Sequence, residues 1–171
     1  RQSTVMYVIT FANPKGGSGK TTSAMLLAEQ IAISGGRVAI LDLDPNANIL
    51  AWAQTREAEG RDVPFTVHAR PQAEETVELI DSLSDEADYL IIDLEGSKDQ
   101  IVTFALSRTD LCIIPLDGSP MEARQAAQAV RLVQTTANMI RAQINYALLF
   151  TRTNAAFQTT DERDVRQEME L

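Results

Sequence analysis

Cysteine is almost absent from this 171-residue chain: Cys112 stands alone. An internal disulfide is excluded, and inside the run Leu111-Cys112-Ile113-Ile114 a single thiol reads as a small core hydrophobe. Histidine is as scarce. His68 sits in a weakly strand-like stretch and reads as a strand residue without a catalytic part. Long apolar runs are missing as well: none approaches the roughly 20 residues a membrane span needs, and no basic-then-apolar signal peptide opens the chain. The expectation is a soluble, intracellular protein. Basic charge is in deficit, with 15 Lys and Arg against 24 Asp and Glu and a net charge of -9. That balance opposes tight, sequence-independent DNA binding by an isolated monomer, so any DNA contact has to come from a local patch or an assembled form.

What is present is enough apolar material, 44% of residues, for one sizeable core, and a single domain is expected. Short, nearly continuous apolar runs recur at residues 5–11, 38–43, 89–94, 111–116 and 146–150, with a weaker one at 65–68. Such runs look like strands buried on both faces. Between them lie stretches of helical composition at 21–34, 46–59, 73–83, 99–106 and 120–141. Alternation from end to end gives an α/β class with a mostly parallel sheet covered by helices. Ser119-Pro120-Met121-Glu122 has the spacing of a capping box with proline at the first helical position, and Gly35-Gly36 marks a helix end. The last stretch, 159–171, is charged and helical in composition.

The chemistry concentrates in Lys15-Gly16-Gly17-Ser18-Gly19-Lys20-Thr21-Thr22, which follows a strand and opens a helix. The general P-loop pattern has its first glycine where this chain has Pro14, so the strict form fails. Its physical requirements are met. The three glycines let the backbone turn sharply and bring successive N–H groups to phosphate oxygens, and the helix aims its positive end at the same point. Lys20 is then placed for the β and γ phosphates and the Thr21 hydroxyl for Mg²⁺. Lys15 adds a second cation, which makes sense for a triphosphate. Asp42 and Asp44 end the second strand in Leu41-Asp42-Leu43-Asp44-Pro45-Asn46, and Asp93 ends another in Ile91-Ile92-Asp93-Leu94-Glu95-Gly96. In open parallel sheets ligands bind at the carboxyl ends of strands, where one carboxylate can hold a metal-bound water and another can orient an attacking water. Gly96 has the Asp-x-x-Gly spacing from which an N–H can bond a γ-phosphate. For Asp42 a plain role as turn residue or helix cap stands level with metal binding; for Asp44 and Asp93 position favours function.

Taken together, Lys15-Gly16-Gly17-Ser18-Gly19-Lys20-Thr21, Asp42-Leu43-Asp44-Pro45 and Ile91-Ile92-Asp93 resemble the deviant Walker A, second motif and Walker B strand of the ParA/MinD ATPases. The resemblance runs from about Met6 to the end, and Asn13-Pro14-Lys15, Trp52, Ser119-Pro120 and Thr151-Arg152 bring it near the small ParF-type ParA proteins of plasmid partition. It implies a single doubly wound P-loop domain over 6–171, with 1–5 a leader or expression remnant, and a chain short of the family's last strand and helix. It implies ATP/ADP and Mg²⁺ as ligands. Lys15 would be the signature lysine that crosses a sandwich dimer to phosphate held by the other subunit. Lys20 would be the P-loop lysine, Thr21 the metal ligand, Asp44 the residue positioning the attacking water, and Asp93 the acid acting on Mg²⁺ through water. Arg152 and Asn154 would stand near the base, though Arg152 reads equally as a solvated loop residue.

The implied activity is slow, partner-stimulated ATP hydrolysis, and the implied partners are a second copy, a ParB-like protein and non-specific DNA, in a cytoplasmic protein that joins the nucleoid when ATP-bound. A membrane role needs a C-terminal amphipathic helix, and 161–171 is too acidic for one. Two other readings share the nucleotide site: a positioning ATPase for another cargo, such as conjugative transfer machinery or a chemoreceptor cluster, and a metabolic ligase on the same scaffold. Asn46 and Glu95 depart from the family's usual residues beside the γ-phosphate. Arg124 and Arg131, seven apart on a helix, read as a solvated face more readily than as a DNA patch.

Overall fold

The computed structural model describes residues 5–14, 17–95, 99–152, 163–165 and 167. Six strands, β1 (Tyr7–Asn13), β2 (Val38–Asp42), β3 (Thr66–His68), β4 (Tyr89–Glu95), β5 (Leu111–Leu116) and β6 (Asn145–Phe150), alternate with helices α1 (Lys20–Ile33), α2 (Asn48–Ala58), α3 (Thr76–Ser82), α4 (Gln100–Leu106) and α5 (Pro120–Ile140). The strands form one sheet in the order β3-β2-β4-β1-β5-β6, and every pairing is parallel. The expected doubly wound α/β sheet is present, and it is wholly parallel among the described residues.

Strand alternation divides the core in two. Ile9, Phe11, Val38, Ile40 and Ile91 face α1 and α2, against Ala24, Ala28 and Ile49. Val8, Ala12, Leu41, Leu90, Ile92 and Leu94 face the other way, against Ile80, Ile101, Ala105, Ala126 and Val133 of α3, α4 and α5. Ala24 and Ala28 are completely buried, so α1 can lie close on β1 and set its first turn at the end of that strand. Cys112 is buried, and loss of hydration pushes its thiol up to about 12, which fits the core reading. Not every apolar run is covered on both faces. Among the described residues β6 is the outermost strand on its side of the sheet, and Tyr146 and Leu149 remain 43% and 38% exposed; the run expected to be buried on both faces is only partly covered by those residues.

The helix ends follow the sequence signals with one change. Gly35, at φ +85°, and Gly36 close α1 with paired bonds to Ala32 O and Ile31 O at 3.0 Å each. At α5, Ser119 Oγ accepts from Glu122 N at 3.3 Å as a cap should, but Glu122 Oε2 accepts from Asp117 N, not Ser119 N. Asp117 Oδ1 has taken Ser119 N at 3.0 Å, so the reciprocal half of the expected capping box moves two residues upstream.

Helix α2 lacks a capping side chain of its own, since Ala47 holds its N-cap position in the left-handed region at φ 49°. Asp42, at the end of β2, substitutes. Its Oδ2 accepts from Ile49 N and Leu50 N at 3.0 and 3.1 Å, and Oδ1 accepts from Asp44 N at 3.2 Å. A buried anion thereby neutralises first-turn donors and meets the positive end of the helix. Replacing Asp42 by Ala should lower the unfolding free energy by about 2 kcal/mol, because charged cap bonds are lost from a buried site. Urea denaturation in EDTA checks this, since a purely metal-binding carboxylate would leave the metal-free protein unchanged.

Candidate functional site

The loop after β1 starts from Asn13, a fully buried side chain whose Nδ2 donates to Pro115 O at 2.5 Å and so ties the ends of β1 and β5. Lys15 and Gly16 lie outside the described residues. Gly17 and Gly19 have φ of +92° and +85°, a conformation glycine adopts without strain. Thr151 packs beside Gly19: a Cβ there would come into van der Waals contact with Thr151 Cγ2 at 3.4 Å. Thr151 Oγ1 donates to Ser18 O at 2.8 Å, while its backbone N–H donates to Leu116 O at 2.8 Å. The chain leaving β6 thus braces the glycine loop against the end of β5.

Three of the expected site residues meet at the floor. Lys20 Nζ donates to Asp93 Oδ1 at 2.6 Å, and Thr21 Oγ1 donates to Asp93 Oδ2 at 2.7 Å. Asp93 is fully buried and Lys20 only 5% exposed, so this is an interior ion pair at the start of α1. Asp44 is nearly buried too. Its Oδ1 accepts from Asn46 N at 2.8 Å and Asn46 Nδ2 at 3.0 Å, an Asx turn that fixes the carboxylate before α2 begins. Above them opens a cleft of 280 Å³. Gly17, Gly19, Lys20, Thr21 and Thr22 line one wall, Asp44, Asn46 and Asn48 another, with Glu95 and Arg152 at the sides.

Asp42 does not line this cleft. Of the two readings the sequence left level, the structure adopts the helix cap, with both oxygens on backbone N–H groups. Burial pushes its carboxyl above the usual range, the bond from Leu50 N pulls it back, and the neighbouring charge of Asp93 adds to the rise. Arg152 lines the cleft from the residue after Thr151, with a left-handed backbone at φ 57°. Gly96 and Asn154 lie outside the described residues. Sequence reasoning missed Thr151 as a brace. It also missed Arg70, whose Nη1 donates to Leu43 O at 2.8 Å beside Asp44; no motif surrounds Arg70, and only the fold brings it there.

The site suits a phosphorylated ligand with a divalent cation. The Ser18 hydroxyl is buried in the glycine loop with no partner among the described residues, a loss of about 1 to 3 kcal/mol unless ligand binding supplies one. Lys20, the first-turn N–H groups of α1 and the positive-φ glycines offer positive potential to an anion. Among the described residues no cluster of three His, Cys, Asp or Glu side chains could cage a metal. That composition matches Mg²⁺, which keeps waters and takes one or two protein oxygens plus phosphate; Thr21 and Asp93 would be those groups here.

Comparison with known proteins agrees with this chemistry. The family model described as the CobQ/CobB/MinD/ParA nucleotide binding domain matches residues 9–168. Protein ParA of Rhizobium radiobacter is 31% identical over 163 residues, 94% of this chain and 71% of that one. Two solved structures share the fold. A plasmid partition protein of Borrelia burgdorferi bound to AMPPNP superposes with a TM-score of 0.76 at 19% identity, covering 97% of this chain and 83% of that one. Cobyrinic acid a,c-diamide synthase of Mycobacterium smegmatis, with a bound ATP analogue and magnesium, gives 0.78 at 21%, covering 97% and 82%. No helix among the described residues is long and apolar enough to cross a membrane. With two lysines on its glycine loop and Asp93 holding Lys20 and Thr21 beneath it, the chain belongs to the CobQ/CobB/MinD/ParA nucleotide-binding family, on its ParA side.

Proposed function

We propose that the chain is a Mg-ATP hydrolase that works as a partition switch: ATP joins two copies, the dimer engages DNA non-specifically, and hydrolysis stimulated by a ParB-like partner separates them. The observation that carries this reading is the buried cluster of Lys20, Thr21 and Asp93 under a cleft that Asp44 also lines. Bound Mg²⁺ would supply charge compensation for the phosphates and order one or more waters. Lys20 exchanges its carboxylate partner for phosphate oxygen, and Asp44 orients a water. The water oxygen bonds to the γ-phosphorus as the bond to the β–γ bridging oxygen breaks. ADP leaves with that electron pair, and the water's proton passes to the released phosphate.

Support for the partition role comes from the ParA relative, which spans 94% of this chain, and from the two-lysine loop. Lys15 of each copy would reach the triphosphate held by the other, so the second lysine acts across the interface. For ATP to assemble the dimer it has to bind the dimer more tightly than the monomer, and a cation shared between sites supplies that difference. The working place is then the cytoplasm, with the ATP-bound dimer on the nucleoid.

Two substitutions separate the parts of this reading. Lys15→Gln should keep nucleotide binding within a few-fold while abolishing ATP-dependent dimerisation; normal dimerisation by light scattering would remove the shared-site claim. Asp44→Ala should cut turnover by about 100-fold or more with MgADP affinity little changed, as expected for a group that acts on the attacking water. Phosphate release with and without DNA, alongside equilibrium binding of a fluorescent ADP, reads both quantities.

A further inference from the structure

Arg70 lies in the connection between β3 and α3, outside every motif and away from the cleft lining. Its guanidinium nevertheless reaches two segments that serve the site. Nη1 donates to the carbonyl of Leu43 at 2.8 Å, and Nη2 donates to the carboxylate of Asp99, the residue that caps α4 just beyond β4. Leu43 is held from its other side as well, since its N–H donates to Asp93 O at 2.9 Å. Leu43, the residue before Asp44, is therefore held through both of its backbone groups, its N–H on the strand that carries Asp93 and its carbonyl on Arg70.

This pair is not a major source of stability. The Arg70 and Asp99 side chains are 29% and 37% exposed, and ion pairs so accessible to water contribute little to folding. What the arrangement supplies is spacing. A planar guanidinium offers two donors at a fixed separation, and here one satisfies a carbonyl on the β2–α2 loop while the other satisfies a carboxylate at the start of α4. We infer that Arg70 is a positioning residue for hydrolysis, clamping the Leu43–Asp44 peptide against Asp99 so that the Asp44 carboxylate is held at its working distance. The inference rests on the role of Asp44 given above.

The clamp predicts a split between turnover and binding. Arg70→Ala should lower kcat by about 10- to 100-fold through misplacement of Asp44, with KM for ATP and the Kd of MgADP within about threefold of wild type. Arg70→Lys keeps the charge but reaches only one of the two acceptors, so it should lose nearly as much. Asp99→Asn should lower kcat in the same sense, and the Arg70→Ala, Asp99→Asn double variant should be no slower than Arg70→Ala alone, because both remove one clamp. Thermal unfolding confirms that each variant is folded. A kcat for Arg70→Ala close to wild type, full rescue by lysine, or a parallel fall in MgADP affinity would overturn the inference. A separate readout keeps it distinct from the hydrolysis reading. If the wild-type protein shows no ATP turnover, that reading fails, and amide hydrogen exchange of residues 43–47 in the nucleotide-free protein decides the clamp: faster exchange in Arg70→Ala supports it, and unchanged exchange overturns it.

Discussion

One buried carboxylate, Asp93, receives both the cation and the hydroxyl that open α1, and the geometry of the whole site follows from that contact. Holding an ammonium and a carboxylate in the interior costs desolvation, and the pair is retained only because each group has a partner at short range. Removing one partner would leave the other charged and unpaired, which is worse than having neither. On the proposed function this sets up a competition, since a phosphate drawing Lys20 toward itself leaves Asp93 facing additional negative charge. A bound divalent cation with its waters would resolve the competition by giving Asp93 a new positive neighbour. On that function the same carboxylate would serve as counter-ion before nucleotide arrives and as part of the metal's surroundings afterwards.

The sheet order explains why so few residues suffice. β1 runs between β4 and β5, all in one direction, so the turn after β1 emerges beside the ends of its neighbours. Parallel pairing in register sets Asn13 opposite Glu95 and Asp42 opposite Asp93. The glycine loop is then constrained from several sides without a dedicated scaffold: by Asn13 on Pro115 O, by Thr151 on Ser18 O, and by Lys20 on Asp93. Each of these contacts joins residues about seventy or more positions apart. Local sequence has no means of announcing them.

That separation also marks the limit of what the sequence made legible. Strands with dense apolar runs were readable, since β1, β2 and β4 bury both faces and need no alternation to be seen. The glycine loop, Asp44 and Asp93 were readable because their chemistry depends on spacing within a few residues of a strand end. β6 was read as buried on both faces because composition carries no information on which strand stands outermost among the described residues. Asp42 was left level between two roles, and the choice depended on α2 starting at Asn48 behind an alanine in a left-handed conformation, a detail of backbone path. Arg70 and Thr151 gave no signal in that respect. Their importance comes wholly from where distant segments are brought.

The brace formed by Thr151 has a mechanical side. Its hydroxyl holds the carbonyl of Ser18, its methyl lies 3.4 Å from where a Cβ of residue 19 would stand, and its own N–H is fixed to β5. A displacement of Thr151 would therefore reach the glycine turn through Ser18 and Gly19 as directly as it reaches the sheet through Leu116. In engineering terms Thr151 is a bearing: it fixes the loop while the chain outside is still, and it is the point through which load from a docked neighbour would be felt at the phosphates.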